Sequence, residues 1–450
     1  MTPGARLAAA IELLDRIAGG RGAADDVVGE WFRRHRFAGA KDRGAISEHI
    51  YAVLRHLAGL DWWLARAGGP GLVPNGRTRL LAALILVQGW RPEAAARACD
   101  GDRFRPERLA AAETRLLAGL PEGGLDHPQM PDWVRWNYPP WLGPRLVALF
   151  GANLAREMAA LNGPAPLDLR VNALKSERLA AKLALEGEGV TAAETRYSPL
   201  GLRVTERIPL ATLASFKDGL VEVQDEGSQL AALLAEARPG MRVVDFCAGA
   251  GGKTLALAAA MKNRGHLVAC DVSAARLERA TQRLRRAGVS IVQRQPLADE
   301  RDKWVKRHAA SFDRVFVDAP CTGTGTWRRN PDAKWRLTQA DLDELGALQA
   351  GILASAARLV RPGGRLVYAT CSLLAEEDED QVARFLAAAP EFRLLPIAAV
   401  WRAVLGSRCP APGETLRLTP ARHGTDGFFV AVLERQAAAP AAEPSRSDRD

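Results

Sequence analysis

Apolar residues recur every three or four positions through the first 140 residues of the chain. Leu7, Ile11, Leu14 and Ile17 make one stripe, and Ile46, Ile50, Val53, Leu54 and Leu57 make another. This spacing predicts an all-helical segment over 1–140. Over 141–235 the period switches between 2 and 3.6. Leu167 to Asn172 alternates as a strand does, and Leu202 to Val204 and Leu220 to Val223 predict two more. Ser176 is placed to cap a helix carrying Leu179, Leu183 and Leu185, so a small α+β module is expected.

Over 236–435 strands and helices alternate, which requires a parallel sheet covered by helices on both faces, a Rossmann-like α/β domain. Strands are predicted at Arg242 to Asp245, His266 to Asp271, Ser290 to Gln293, Asp313 to Asp318, Arg365 to Thr370 and Gly427 to Leu433. Helices are predicted at Thr254 to Met261, Ser273 to Ala287, Thr338 to Val360 and Glu377 to Ala389. Thr338-Gln339-Ala340-Asp341 resembles a capping box with Asp in place of Glu. The segment 436–450 is rich in Ala, Pro and Ser, offers nothing to bury, and reads as a disordered tail.

Composition narrows the class. With 48% hydrophobic and 25% charged residues the chain is ordinary globular protein, and no apolar run reaches the roughly 18 residues of a membrane span. Its first ten residues lack the basic-then-apolar order of a secretory signal, so a cytoplasmic location is expected. Cys99, Cys247, Cys270, Cys321, Cys371 and Cys409 contain no Cys-x-x-Cys pair, which argues against a zinc site or a disulfide framework and leaves thiols free for chemistry. A net charge of +9, carried mostly by arginine, suits a polyanionic partner, although an Ala/Arg/Gly-rich composition alone could produce it. The run Phe32-Arg33-Arg34-His35-Arg36-Phe37, with Lys41 and Arg43, is either a phosphate-binding edge or a solvated face. His35 and His49 have no second candidate ligand at metal-binding spacing, and no metal is expected.

Ligands of open parallel sheets bind where loops leave the C-terminal ends of strands. The first such loop reads Cys247-Ala248-Gly249-Ala250-Gly251-Gly252-Lys253-Thr254. It is no nucleotide-triphosphate loop, because the position five before Gly252 is Cys247, and no Gly-x-Gly-x-x-Gly turn, because Gly251 is followed by Gly252 and Lys253. Glycines here still admit a ligand close to the backbone and to the amides of a helix N-terminus. Asp271, ending the second strand, is placed either to bind ribose hydroxyls or to cap the following helix.

Two further loops begin Asp318-Ala319-Pro320-Cys321 and Thr370-Cys371-Ser372. Their thiols are 50 residues apart and leave the same edge of the sheet; if the strands are neighbours, both sulfurs face one cleft. A lone cysteine is usually an inert small hydrophobe, but two at equivalent strand ends suit covalent catalysis. Carbon 5 of cytosine is too weak a nucleophile to take a methyl group until a thiolate adds to carbon 6, and a second group must help the carbon 5 proton leave. Lys253 and the amides of the Cys371 turn can support the thiolate, and Asp318 can hold the amino edge of the base.

The chain resembles the Sun/RsmB-type RNA cytosine carbon-5 methyltransferases, whose bacterial members modify small-subunit ribosomal RNA. The resemblance rests on Asp245-Phe246-Cys247 through Thr254, Asp318 through Gly325, Arg328-Arg329-Asn330-Pro331-Asp332, Tyr368-Ala369-Thr370-Cys371-Ser372 and Gly424-Thr425-Asp426-Gly427-Phe428-Phe429, in the family's order. Val223 to Gln229 is similar to the stretch before its catalytic sheet, Arg170-Val171-Asn172 to its small module, and Lys41 to Leu64 to its helical, NusB-like RNA-binding domain. It implies the domains 1–140, 141–235 and 236–435, S-adenosylmethionine as cofactor, ribosomal RNA as partner, and a monomer. It also implies Cys371 as nucleophile and Cys321 as the residue aiding release, whereas DNA cytosine methyltransferases attack with the cysteine of the Pro-Cys motif, here Cys321. Lys253 and Asp318 would face the base, and Cys247, Ala248, Gly249, Ala250, Gly251, Gly252, Lys253, Asp271 and Asp318 would surround the cofactor. The chain departs from the family at Arg294-Gln295-Pro296, where members commonly carry Gly-Asp-Ala, so Gln295 takes the place of the residue near adenine. Two readings from other classes are an idle RNA-binding or ribosome-assembly factor and a small-molecule methyltransferase, which would have no use for a basic helical domain.

Overall fold

The computed structural model describes residues 1–437 except 21, 70, 71, 123, 207 and 412. The tail, from residue 438, therefore lies outside the described residues. The chain forms two compact units, one of Met1–Ala165, Gly323–Thr338 and Pro420–Arg422, the other of Pro166–Thr322, Gln339–Thr419 and the residues from His423 on. Among the described residues no helix is long and apolar enough to cross a membrane.

The first unit is helical. Its opening helix, Pro3–Gly19, buries Leu7, Leu14 and Ile17 together with Ala10 and Leu13, while Ile46, Ile50, Val53 and Leu54 are buried on Ala40–Arg55. Ile11 and Leu57 pack at the margin of the same core, only half-buried. The helix Gly76–Leu86 starts at a capping box in which Asn75 Oδ1 accepts from the Thr78 N–H at 2.9 Å, a contact of a kind contributing about 1 kcal/mol. Residues 323–338, remote in sequence, complete this unit: the Ala24 N–H donates to Asp332 at 3.1 Å, and Trp335 joins the helical core. Lys334, fully buried, donates to the Asn137 carbonyl at 3.0 Å and to Asn162 Oδ1. Burial, aided by the Arg55 charge, pushes its ammonium down to about 7.

The second unit holds two sheets. The smaller is antiparallel, ordered β2-β3-β1-β4, from β1 (Leu167–Val171), β2 (Ala192–Glu194), β3 (Gly201–Val204) and β4 (Val221–Val223). The helix after β1, Arg178–Gly187, corrects two expectations. Glu177, not Ser176, precedes it, and it turns Ala181 and Leu185 inward while leaving Leu179 and Leu183 exposed.

The larger sheet contains β5 (Arg242–Asp245), β6 (His266–Asp271), β7 (Val292–Pro296), β8 (Phe312–Asp318), β9 (Val360–Thr370), β10 (Phe392–Leu394), β11 (Leu416–Leu418) and β12 (Phe428–Arg435). Its order is β10-β12-β9-β8-β5-β6-β7, with β11 paired to β12. The strands from β5 to β9 pair in parallel, and β12 runs antiparallel to β9. Alternate residues supply opposite faces, as the period of two requires. Val244, Val315, Val317, Leu366 and Tyr368 pack with Ile352, Leu353 and Phe385 of two helices; Val243, Phe316, Val367 and Ala369 pack with Leu230, Leu257, Ala258 and Trp401 of three others. Helices therefore cover both faces. The third strand begins two residues and ends three residues later than expected, at Val292 and Pro296, which puts Gln295 inside the strand. The helix expected from Glu377 is divided, a 3-10 turn at Ala375–Glu377 preceding the helix Glu379–Ala388.

Candidate active site

The strand order reverses between β5 and β8, so the loops leaving those two strands diverge and open a crevice at the C-terminal edge. The turn after β5 is shaped by Gly249 and Gly251, with φ of +56° and +81°. A Cβ on Gly251 would stand 2.9 Å from the Ala280 Cβ, so glycine is needed there for both space and backbone conformation. The Arg283 guanidinium fastens the turn by donating to the Ala250 carbonyl at 2.7 Å. From the small sheet, Arg170 donates to the Gly252 carbonyl at 2.9 Å, and burial holds its guanidinium down at about 10. Asn172 spans the two sheets' loops, donating to the Gly219 and Ala287 carbonyls at 2.9 Å each.

Beneath the turn lies Asp245, wholly buried. One carboxyl oxygen accepts from the Thr254 hydroxyl at 2.6 Å, and the other, Oδ1, has no hydrogen-bond partner. Burial raises its pKa to about 7, against the lowering effect of Thr254. A buried acceptor without a donor is costly, and a cationic or hydrogen-bonding ligand group would satisfy it. Asp271, at the end of the adjacent β6, accepts from the Gly249 N–H at 2.9 Å and the Ser273 N–H at 2.7 Å, so it joins the glycine turn to the β6 loop, while the cap of the next helix is Ser273 and not Asp271. Gln295 pairs across the strands with Cys270, one residue before Asp271, and its amide donates to the Pro296 carbonyl at 2.8 Å. The Cys247 thiol is pushed well up by burial.

β8 and β9 are parallel neighbours with Asp318 opposite Ala369, and the loops leaving them bring the Cys321 and Cys371 sulfurs to 3.5 Å. Neither residue is fully buried. The sulfurs touch, so both face one cleft but no ring fits between them. Lys253 Nζ pairs with Asp318 Oδ2 at 2.6 Å and sits 5.0 Å from the centre of the Phe428 ring. The Lys253 charge, expected to support a thiolate, is thus engaged by Asp318.

Three residues of this region escape a reading of the sequence. The unpartnered Asp245 is a strand-end acid whose environment only the fold reveals. Arg170 lies in another module. Glu377, buried and hydrogen-bonded to the residue after each cysteine, reads in sequence as one acid in a run of five, Glu376 to Asp380.

Residues 232–434 match the family described as 16S rRNA methyltransferase RsmB/F, and residues 138–211 match the ferredoxin-like domain of RsmF/B-like methyltransferases. The chain is 32% identical over 411 residues to ribosomal RNA small subunit methyltransferase B of Sodalis glossinidius, an alignment covering 88% of this chain and 90% of that protein. It is 35% identical over 301 residues to the protein of the same name in Pasteurella multocida, covering 66% of this chain and 65% of that one. Among solved structures, a methyltransferase homologue from Pyrococcus horikoshii is 30% identical with a TM-score of 0.59, covering 69% of this chain and all of the other.

Proposed function

The chain belongs to the RsmB/F family of 16S ribosomal RNA methyltransferases, S-adenosylmethionine-dependent enzymes, and from that premise we propose that it forms 5-methylcytosine in small-subunit ribosomal RNA through a cysteine adduct. The observation that carries this reading is the pair of thiols in contact at 3.5 Å, beside the Lys253–Asp318 ion pair, at the C-terminal edge of the sheet.

S-adenosylmethionine, when bound, supplies an electrophilic methyl group. The residues of the glycine turn, Cys247 to Lys253, together with Asp245, Asp271 and Gln295, form its seat. The unpartnered Asp245 oxygen suits the amino group of its methionine part, and the open Gly249 backbone suits its close approach. Cys371 would add to carbon 6 of the cytosine as the thiolate and push an electron pair onto carbon 5, the atom that a bound donor would methylate as its S–CH3 bond breaks and the electrons stay on sulfur. Cys321, as a thiolate, would take the carbon 5 proton; the pair of that C–H bond reforms the double bond and the Cys371–carbon 6 bond breaks, returning the Cys371 thiolate and the methylated base. Asp318, held by Lys253, accepts from the amino edge of the ring as charge develops there.

The test uses radiolabelled methyl donor with ribosomal RNA. Cys371→Ala should abolish both incorporation and any covalent complex, whereas Cys321→Ala should leave enzyme bound to RNA as a slow band on a denaturing gel. The opposite pattern would exchange the two roles. Wild-type protein that labels no cytosine sinks the proposal.

A further inference from the structure

The two reactive sulfurs sit on separate loops, and a contact between loops needs something to hold it. We propose that Glu377 is the positioning residue that keeps the thiols in register, by fastening the residue after each cysteine to one buried carboxylate. The inference rests on the cysteine-adduct reading and extends it.

Glu377 is fully buried. Its Oε1 accepts from the Thr322 backbone N–H at 2.8 Å and from Gln349 Nε2 at 2.9 Å; its Oε2 accepts from the hydroxyls of Thr322 and Ser372, each at 2.5 Å. Thr322 follows Cys321 and Ser372 follows Cys371, so both loops end on the same group. The Gln349 amide also donates to the carbonyl of Pro320 at 2.9 Å, which fixes the other side of Cys321. The Glu377 backbone is pinned in turn, its carbonyl accepting from the Tyr368 hydroxyl at 2.6 Å.

A buried carboxylate is costly to desolvate, and an apolar side chain could fill the space without that penalty. The nearby cation does not offset the cost, since Arg417 pairs with Asp378 at 2.9 Å and with Glu379. What a carboxylate alone provides is room for two donors on each of two oxygens. Glutamine could keep its oxygen on the two N–H donors and turn its NH2 to the two hydroxyls, which would then accept, so it replaces charge-assisted bonds by neutral ones, whereas an apolar residue ties neither loop. Aspartate is one carbon too short to span both loops. The residue is therefore explained by what it joins.

Thiol geometry can be read without RNA. Diamide oxidises two adjacent thiols to a disulfide, taking two electrons and two protons onto its N=N bond, and the closure rate reports how often the sulfurs meet in bonding geometry. In the full chain, Glu377→Leu, which fills the space and ties neither loop, should slow Cys321–Cys371 closure, followed by peptide mass spectrometry, by about tenfold or more. Turnover number should fall by about a hundredfold, the loss expected for misplacement of about 1 Å, with cofactor affinity unchanged. Closure at the wild-type rate in Glu377→Leu would overturn the proposal. Where that variant fails to fold, Thr322→Val should slow closure and Thr322→Ser should restore it, and equal rates in those two would overturn it as well. Because closure needs no substrate, a wild-type enzyme that makes no 5-methylcytosine defeats the adduct reading and leaves this measurement standing.

Discussion

Replacing Gly251 with alanine tests whether the glycine turn after β5 is held in shape by backbone conformation, by space, or by both. At φ +81° and ψ +17° the residue lies in left-handed space, where an L side chain costs about 1–2 kcal/mol. The new Cβ would also lie 2.9 Å from the Ala280 Cβ, closer than such atoms pack, so the turn or the helix Ala274–Ala287 must move. Overpacking of this sort adds about 1–3 kcal/mol. Gly249→Ala is the internal control: its φ is +56°, but its Cβ would meet nothing within 4 Å, leaving only the conformational cost. Gly249→Ala should therefore lose about 1–2 kcal/mol, and Gly251→Ala at least about 1 kcal/mol more. In thermal denaturation of the ligand-free protein, each kcal/mol lowers Tm by about 2–4 °C for a unit of this size. Equal losses in the two variants, or a larger loss at Gly249, would refute the steric argument.

Asp245 and Lys334 make opposite pH signatures. The folded protein holds the Asp245 proton up to about pH 7, whereas an unfolded carboxyl releases it near 4, so this group's contribution is full at acid pH and is lost between those values. Asp245→Asn should flatten that decline in urea melts between pH 4 and 8 and weaken cofactor binding by calorimetry; an unchanged slope would show that the carboxyl is ionised in the fold. Lys334, whose ammonium is pushed down to about 7 by burial, penalises the fold below that pH and ceases to do so as pH rises toward its unfolded value of 10.5. Stability of the helical unit should accordingly rise between pH 7 and 10, and Lys334→Met should remove the rise; a wild-type protein without it would mean the amine stays charged inside.

The large sheet was readable because its central strands carry apolar runs with polar ends, as in Arg242 to Asp245 and Asp313 to Asp318. Legibility fails where burial is partial. β7 is an edge strand with half-exposed and exposed residues in turn, so its ends carry no apolar signal, and β10 and β11 are three residues each. The helix after β1 misled because leucines at 179 and 183 suit a stripe, yet Ala181 and Leu185 set the phase against the sheet. At the site, the two cysteines and the glycine turn were visible because strand ends determine where they emerge. Their 3.5 Å contact depends on register, and the Glu377 junction on atoms brought together from three separate segments, neither of which has a local pattern.

The helical unit is discontinuous, and that affects how it can be made. Synthesised before residues 323–338, its helices up to Asn162 must wait for Trp327, Lys334 and finally Pro420 before their packing is complete. Domains usually finish in the order of synthesis; here the earliest residues are among the last to be sealed. A nascent chain halted before residue 323 would present an unfinished apolar face, a natural substrate for chaperones.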